Sequence, residues 1–266
     1  MNNISLFFQK EIITYKRSKM MIELEEKFGF EYPELYKKLS EDGMLDWGLD
    51  VLRENRNQWE KEIVPKLLKN PPFLFTLPEE LNFTLAFELI SLTETKELLD
   101  NPPWPAHYKF VPFAKKDTEV YYAFIYQIEE DINLGEDIPI GLIYADTKEG
   151  EIVAKNLKDF IFRHLLEHAV GVPQGVDHYY YQEALIRTIE NHKNYIPWKQ
   201  FTRLQSIFKK PITKYKTTPT EEGGFLMKIL DFVFRNYLGM ISYEEFGAIL
   251  QQEIGLERLD EEIMWD

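Results

Sequence analysis

The chain contains no cysteine. Disulfides, cysteine-ligated zinc and thiol nucleophiles are therefore excluded, and the absence fits the cytosol, although many exported proteins also lack cysteine. Cations are also short: 31 Lys and Arg stand against 45 Asp and Glu, a formal net charge of −14. A surface that acidic repels phosphate backbones, so nucleic acid is not an expected partner, whereas a basic protein would be steered toward it. No run approaches the roughly 18 apolar residues of a membrane span. The first 21 residues lack a secretory pattern, because Gln9, Lys10, Glu11, Lys16 and Arg17 interrupt the apolar positions and no small-residue cleavage site follows. Neither a G-x-S-x-G elbow nor a P-loop occurs. These absences set the expectation of a cytoplasmic protein with no membrane partner, no cofactor and no catalytic residues.

What is present is a core-forming composition, with 44% hydrophobic and 15% aromatic residues. Ile4, Phe7, Phe8, Ile12, Tyr15, Met21, Leu24 and Phe28 recur at helical spacing and predict a helix over 3–28, closed by Gly29. Pro33 then opens a short helix toward Gly43. A mixed segment reads as helix from about Asp50, "NPPF" at 70–73 breaks it, and Pro78 starts another helix that ends near "DNPPWP". The pattern then switches. "YKFVPFA" (108–114), "EVYYAFIYQI" (119–128), "IPIGLIYAD" (138–146) and "EIVA" (151–154) read as strands. Asn156 is a good N-cap for "LKDFIFRHLLEHAV", which Gly171 and Pro173 stop. Further helices are expected over 177–194, 198–209, 223–238 and 242–254, with 209–224 as a linker.

Chemistry-bearing patterns are few. His164-Leu-Leu-Glu167-His168 spells H-x-x-E-H, a zinc-peptidase signature, since histidines four apart share a helix face. A third ligand would have to come from far away, Glu244 or Glu245 being candidates. The plainer reading is two partly exposed histidines near a helix C-terminus, with Leu157, Phe160, Ile161, Leu165 and Leu166 as the apolar stripe. Gly239, Ile241 and Glu245 match half of an EF-hand loop, but Phe234, Asn236 and Leu238 leave the first half without enough oxygens. A capping box from Ser242 to Glu245 explains that stretch better. The connection 127–139 carries Glu129, Glu130, Asp131, Glu136 and Asp137, and is either a solvated loop or a contact for a basic partner. Trp47 and Trp104, in Pro- or Gly-flanked segments, are either core plugs or interface anchors.

Specific residues carry a resemblance. "IELEEKFGFEYPELYKKLSEDGML" (22–45) resembles the opening of the SUKH superfamily, which includes the Smi/Knr cell-wall-assembly proteins, with the motif positions on Glu25, Pro33, Tyr36, Leu39, Asp42 and Gly43. Pro112-Phe113-Ala114 is similar to the end of the family's first strand, and Phe160 falls at the aromatic position of its last helix. The resemblance covers roughly 20–168, whereas 46–104 is a long insert and 171–266 has no counterpart. It implies an α+β fold, a twisted sheet packed by helices over 1–170, with an all-helical extension over 171–266. It also implies a non-enzymatic protein-binding function. Many bacterial members of the family are immunity proteins that neutralise a cognate polymorphic toxin, here expected to be a basic toxin domain. An intracellular adaptor of the same fold is the alternative, and a zinc metallopeptidase the distant one.

Overall fold

The structure, a computed structural model, describes residues 17–74, 87–105, 108–127, 137–172, 177–216, 236–255 and 262–264. The predicted helix over 3–16 and the start proposed at Pro78 lie outside them. Helix α1 occupies 17–28 and ends where Gly29, at φ 67°, takes the left-handed conformation that glycine adopts without strain. Helix α2, Glu34–Glu41, follows Pro33, whose extended ψ of 139° suits a helix N-cap. Helices α3 (Leu49–Glu54), α4 (Arg56–Gln58) and α5 (Val64–Lys69) follow, with a π-helical turn, Trp59–Ile63, between the last two. Helix α6, Leu92–Asp100, starts at Ser91, whose hydroxyl accepts the Glu94 N–H at 3.2 Å. Ahead of it, residues 88 and 89 are strand rather than helix.

The sheet is antiparallel throughout, in the order β1-β2-β3-β4-β5-β8. Its strands are β1 (Glu88–Leu89), β2 (Lys109–Asp117), β3 (Val120–Gln127), β4 (Ile140–Tyr144), β5 (Glu149–Ala154) and β8 (Glu262–Met264). Side chains alternate between its faces. Val111, Phe113, Tyr122, Phe124, Leu142 and Val153 face the helices and join the large core. Phe110, Ala123, Ile125, Ile143 and Ile152 form a second cluster on the other face, closed by Trp104 and Tyr108. Pro112 is accommodated at a register shift in β2.

Helix α7, Leu157–Glu167, crosses the helix-facing side, capped by Asn156, whose side chain accepts the Asp159 N–H at 3.0 Å. Helices α8 (His178–His192) and α9 (Trp198–Ile207) pack beyond it, followed by β6 (Thr213–Lys216), β7 (Asn236–Gly239) and α10 (Tyr243–Glu253). The fold is thus α+β, as expected, but the C-terminal part is not helical throughout. Strands β6 and β7 pair, and β8 returns to the main sheet against β5. Residues 236–239, expected at a helix end, are extended because β7 lies across the exit of α7. There the Val172 N–H bonds Leu238 O at 2.6 Å and the Met240 N–H bonds Ala169 O at 2.8 Å. A Cβ on Gly239 would meet Ile241 O at 2.8 Å and Ala169 O at 3.1 Å, so glycine is required by the close approach. The capping box holds: Ser242 Oγ accepts the Glu245 N–H at 3.1 Å.

One buried cluster runs from Met21 to Ile254 and includes residues on both sides of position 170. Leu39 has no exposure within it. Leu39→Ala is expected to cost about 2–5 kcal/mol. Urea unfolding followed by both near- and far-ultraviolet dichroism should show one coincident transition; a separate early transition of the C-terminal helices would contradict the shared core.

Candidate functional site

The His164–His168 turn is the chemically richest place in the described chain. Helix α7 is buried nearly all round: Leu157, Phe160, Ile161, Phe162, His164, Leu165 and Leu166 are all covered. A strip through Asp159, Arg163 and Glu167, spaced four apart, is partly open, and Lys158 in the first turn is exposed. The expectation of partly exposed histidines is therefore corrected: His164 is 2% and His168 1% exposed. Phe87 and Tyr122 cover His164 from the sheet side, and the Tyr181 hydroxyl of α8 donates to His168 O at 3.0 Å. Burial pushes His164 well below its ordinary value and His168 down to about 4, so both imidazoles are neutral. The favourable meeting of a charged histidine with a helix C-terminus does not arise.

Around His164 stand Phe87, Phe160, Tyr122 and the ring of His168, at centroid distances of 4.9, 5.9, 6.4 and 5.5 Å. Its Nδ1 lies 3.8 Å from Glu167 Oε2, and its Nε2 has no hydrogen-bond partner among the described residues. The Glu167 carboxyl is raised by burial, against the pull of Arg163 and Lys116. Arg163 bridges the helix and the sheet: Nε approaches Glu167 at 3.4 Å, and Nη1 donates to Val153 O at 2.9 Å. On the sheet, the Tyr144 hydroxyl donates to Glu151 at 3.1 Å. The group is a neutral histidine pair rimmed by an Arg, two carboxyls and two tyrosines. Among the described residues no three His, Cys, Asp or Glu side chains converge as a metal would need. Glu245, one of the proposed third ligands, instead pairs with Lys210.

A third buried histidine was not singled out by sequence. His192, with no exposure, accepts the Leu74 N–H on Nε2 at 3.0 Å and lies 2.7 Å from Thr188 O through Nδ1. This assigns the proton to Nδ1. Beside it the Asn191 amide donates to Asn70 and Pro71 O at 3.1 and 3.0 Å, and the Tyr195 hydroxyl donates to Asp42 at 2.7 Å. These bonds fasten α8 to the segment between α2 and residue 74. An i, i+4 relation between Thr188 and His192 is the only local signal of this clasp.

The expected partner residues separate. Glu129, Glu130, Asp131 and Glu136 lie outside the described residues. Asp137 is exposed and accepts from the Asn156 amide at 3.4 Å. Trp47 and Trp104 are each 5% exposed, and Trp47 Nε1 donates to Phe73 O at 3.1 Å. Both are core plugs, which removes them from any partner surface. Their burial follows from aromatic neighbours, Phe87 beside Trp47 and Phe110 beside Trp104.

The residues that carry the resemblance join the helices to the sheet. Glu25 accepts the Tyr32 N–H at 2.7 Å and pairs with Lys37 at 3.0 Å. Tyr36 stacks on Tyr32 and meets Phe113 and Phe124 edge-on at 5.9 and 5.2 Å. Gly43 has φ 75°. Phe113 in turn meets Phe160 at 5.5 Å. No family model, curated protein or solved structure matches the chain. Among the described residues no helix is long and apolar enough to cross a membrane.

The two kinds of buried histidine predict opposite mutational outcomes. His192→Leu orphans the Leu74 N–H and should cost about 1–3 kcal/mol. His164→Leu removes an unpaired ring nitrogen and should be near neutral or stabilising in urea melts. In pH titrations, His168 and His192, depressed to about 4 from 6.5, bind protons more readily when unfolded. Their contribution is complete above about 6.5 and is lost as pH falls toward 4, by up to about 3 kcal/mol each. Glu167 and Asp159, raised by burial, act with the opposite sign and offset part of that loss. A stability that stays flat from pH 6.5 to 4 in the His164→Leu protein would contradict neutral burial of the other two.

Proposed function

We propose that this chain is a SUKH-like protein-binding domain without catalytic activity, and that it acts as an immunity protein holding a basic toxin domain. The reading rests above all on the roles of the resemblance positions. Glu25, Pro33, Tyr36, Leu39, Phe113 and Phe160 form one continuous path from the opening helices through the sheet to α7. Charge supports the choice of partner, since −14 favours encounter with a basic surface. Exposed carboxylates are available at one end of the sheet, where the β2–β3 and β4–β5 turns lie side by side. Asp117, Glu119, Asp146 and Glu149 are all exposed there, and the Ala145 N–H bonds Glu119 O at 2.9 Å. Asp137 stands at the opposite end, on the β3–β4 connection.

The test begins with the tagged protein and the lysate of its own host. A stoichiometric basic partner is expected, whose C-terminal region stops growth when expressed alone and is silenced by co-expression of this chain. The association rate should fall by about an order of magnitude as salt rises from tens to hundreds of millimolar. A housekeeping partner with no toxic region would favour the adaptor reading instead. A toxic partner whose association ignores salt would remove the acidic surface from the account.

A further inference from the structure

The distribution of cations is uneven in a way that net charge hides. Residues 191–220 contain seven cations (Lys193, Lys199, Arg203, Lys209, Lys210, Lys214 and Lys216) and no Asp or Glu. The remaining chain therefore holds 24 cations and 45 carboxylates, a net of −21. Helix α9 gathers part of this segment on one of its faces. Along α9 and its exit, Phe201, Leu204, Ile207 and Phe208 are buried, whereas Trp198, Lys199, Arg203, Ser206 and Lys209 are exposed. At 100° per residue these exposed positions share one arc of the helix. Lys214 and Lys216 follow, exposed on β6.

Several exposed helical cations elsewhere are matched four residues away by carboxylates, as in Lys19–Glu23, Lys38–Asp42, Arg56–Glu60 and Lys96–Asp100. On α9 no carboxylate is available at that spacing. Arg203, Lys209, Lys214 and Lys216 form no ion pair among the described residues, whereas Lys199 and Lys210 reach out to Glu253 and Glu245 on α10. Trp198 is 70% exposed on the same face, a residue type favoured at the centre of binding surfaces.

We propose that the outward face of α9, with Trp198, Arg203 and Lys209 at its centre, binds an acidic peptide segment of a protein partner. Charge complementarity names the sign of the ligand, and the border sets its size. Glu253 and Glu245 pair with the patch's own lysines, and Glu190, which accepts from Gln205 at 3.1 Å, closes a third side. From Trp198 to Lys209 the face is about 17 Å long, the length of about five residues of extended chain. A polynucleotide or an anionic bilayer would extend past this border onto carboxylates within a screening length of about 8 Å. This contact does not depend on the immunity reading, since a basic toxin would engage the acidic surfaces instead.

The test uses the full chain and a fluorescein-labelled oligoglutamate peptide, read by fluorescence anisotropy at low and physiological salt. Wild type should bind it. Arg203→Glu with Lys209→Glu should weaken binding by about tenfold or more, and Trp198→Ala should weaken it without changing the salt dependence. Both charge reversals are at exposed positions, and far-ultraviolet dichroism checks that the fold is kept. Lys61→Glu with Lys66→Glu, exposed on another surface, changes net charge equally and should leave binding within about twofold. Absence of binding to wild type, or an equal loss in the Lys61 and Lys66 control, would overturn the proposal. Tighter binding of an oligodeoxynucleotide of matched length would overturn it in favour of a nucleic-acid surface.

Discussion

The enclosure of α7 is the constraint on which the rest of the described structure depends. Its inner side packs on Phe113, Tyr122 and the other helix-facing residues of the sheet, while Phe162 and Leu166 turn away from that sheet and are also covered. A helix with a single apolar stripe needs one partner layer; one buried nearly all round needs two. Helices α8, α9 and α10 provide the second layer. The C-terminal third of the chain is thus part of the core, and β8 extends that dependence to the edge of the sheet.

The same enclosure decides the chemistry of the H-x-x-E-H sequence. In water, or at an open cleft, two histidines and a glutamate on one helix face would be competent to hold a metal or move a proton. Without solvent the imidazoles stay neutral, Glu167 is held by Arg163, and the group becomes a polar insert in an aromatic core. His192 shows the complementary use of a neutral buried histidine: one ring nitrogen accepts a backbone N–H that would otherwise be orphaned, and the other faces a carbonyl. Electrostatics on the outside follows a different rule. There the acidic excess and the basic face of α9 coexist because salt largely screens exposed charges separated by more than about 8 Å.

Local signals in the sequence specified much of this. Asn156, Asp177 and Ser242 cap helices where short polar side chains precede apolar periodicity, and each accepts the N–H three residues on. The alternating and aromatic runs of β2 to β5 announced a sheet, and Pro33 and Gly29 marked the turn between the first two described helices. These features depend on neighbours within a few residues, so sequence alone determines them. Sequence also determined the α+β class, the acidic excess, and the absence of thiol chemistry.

Tertiary structure decided what depends on distant partners. Whether Trp47 and Trp104 are plugs or anchors turned on Phe87 and Phe110, far from at least one of them along the chain. Residues 236–239 became a strand because α7 ends beneath them, and residues 213–216 became its partner rather than a linker. His164 lost its charge because Phe87 and Tyr122, distant from it along the chain, cover its ring. In each case the residue's own preference was weak, and long-range burial, which no local pattern encodes, made the choice.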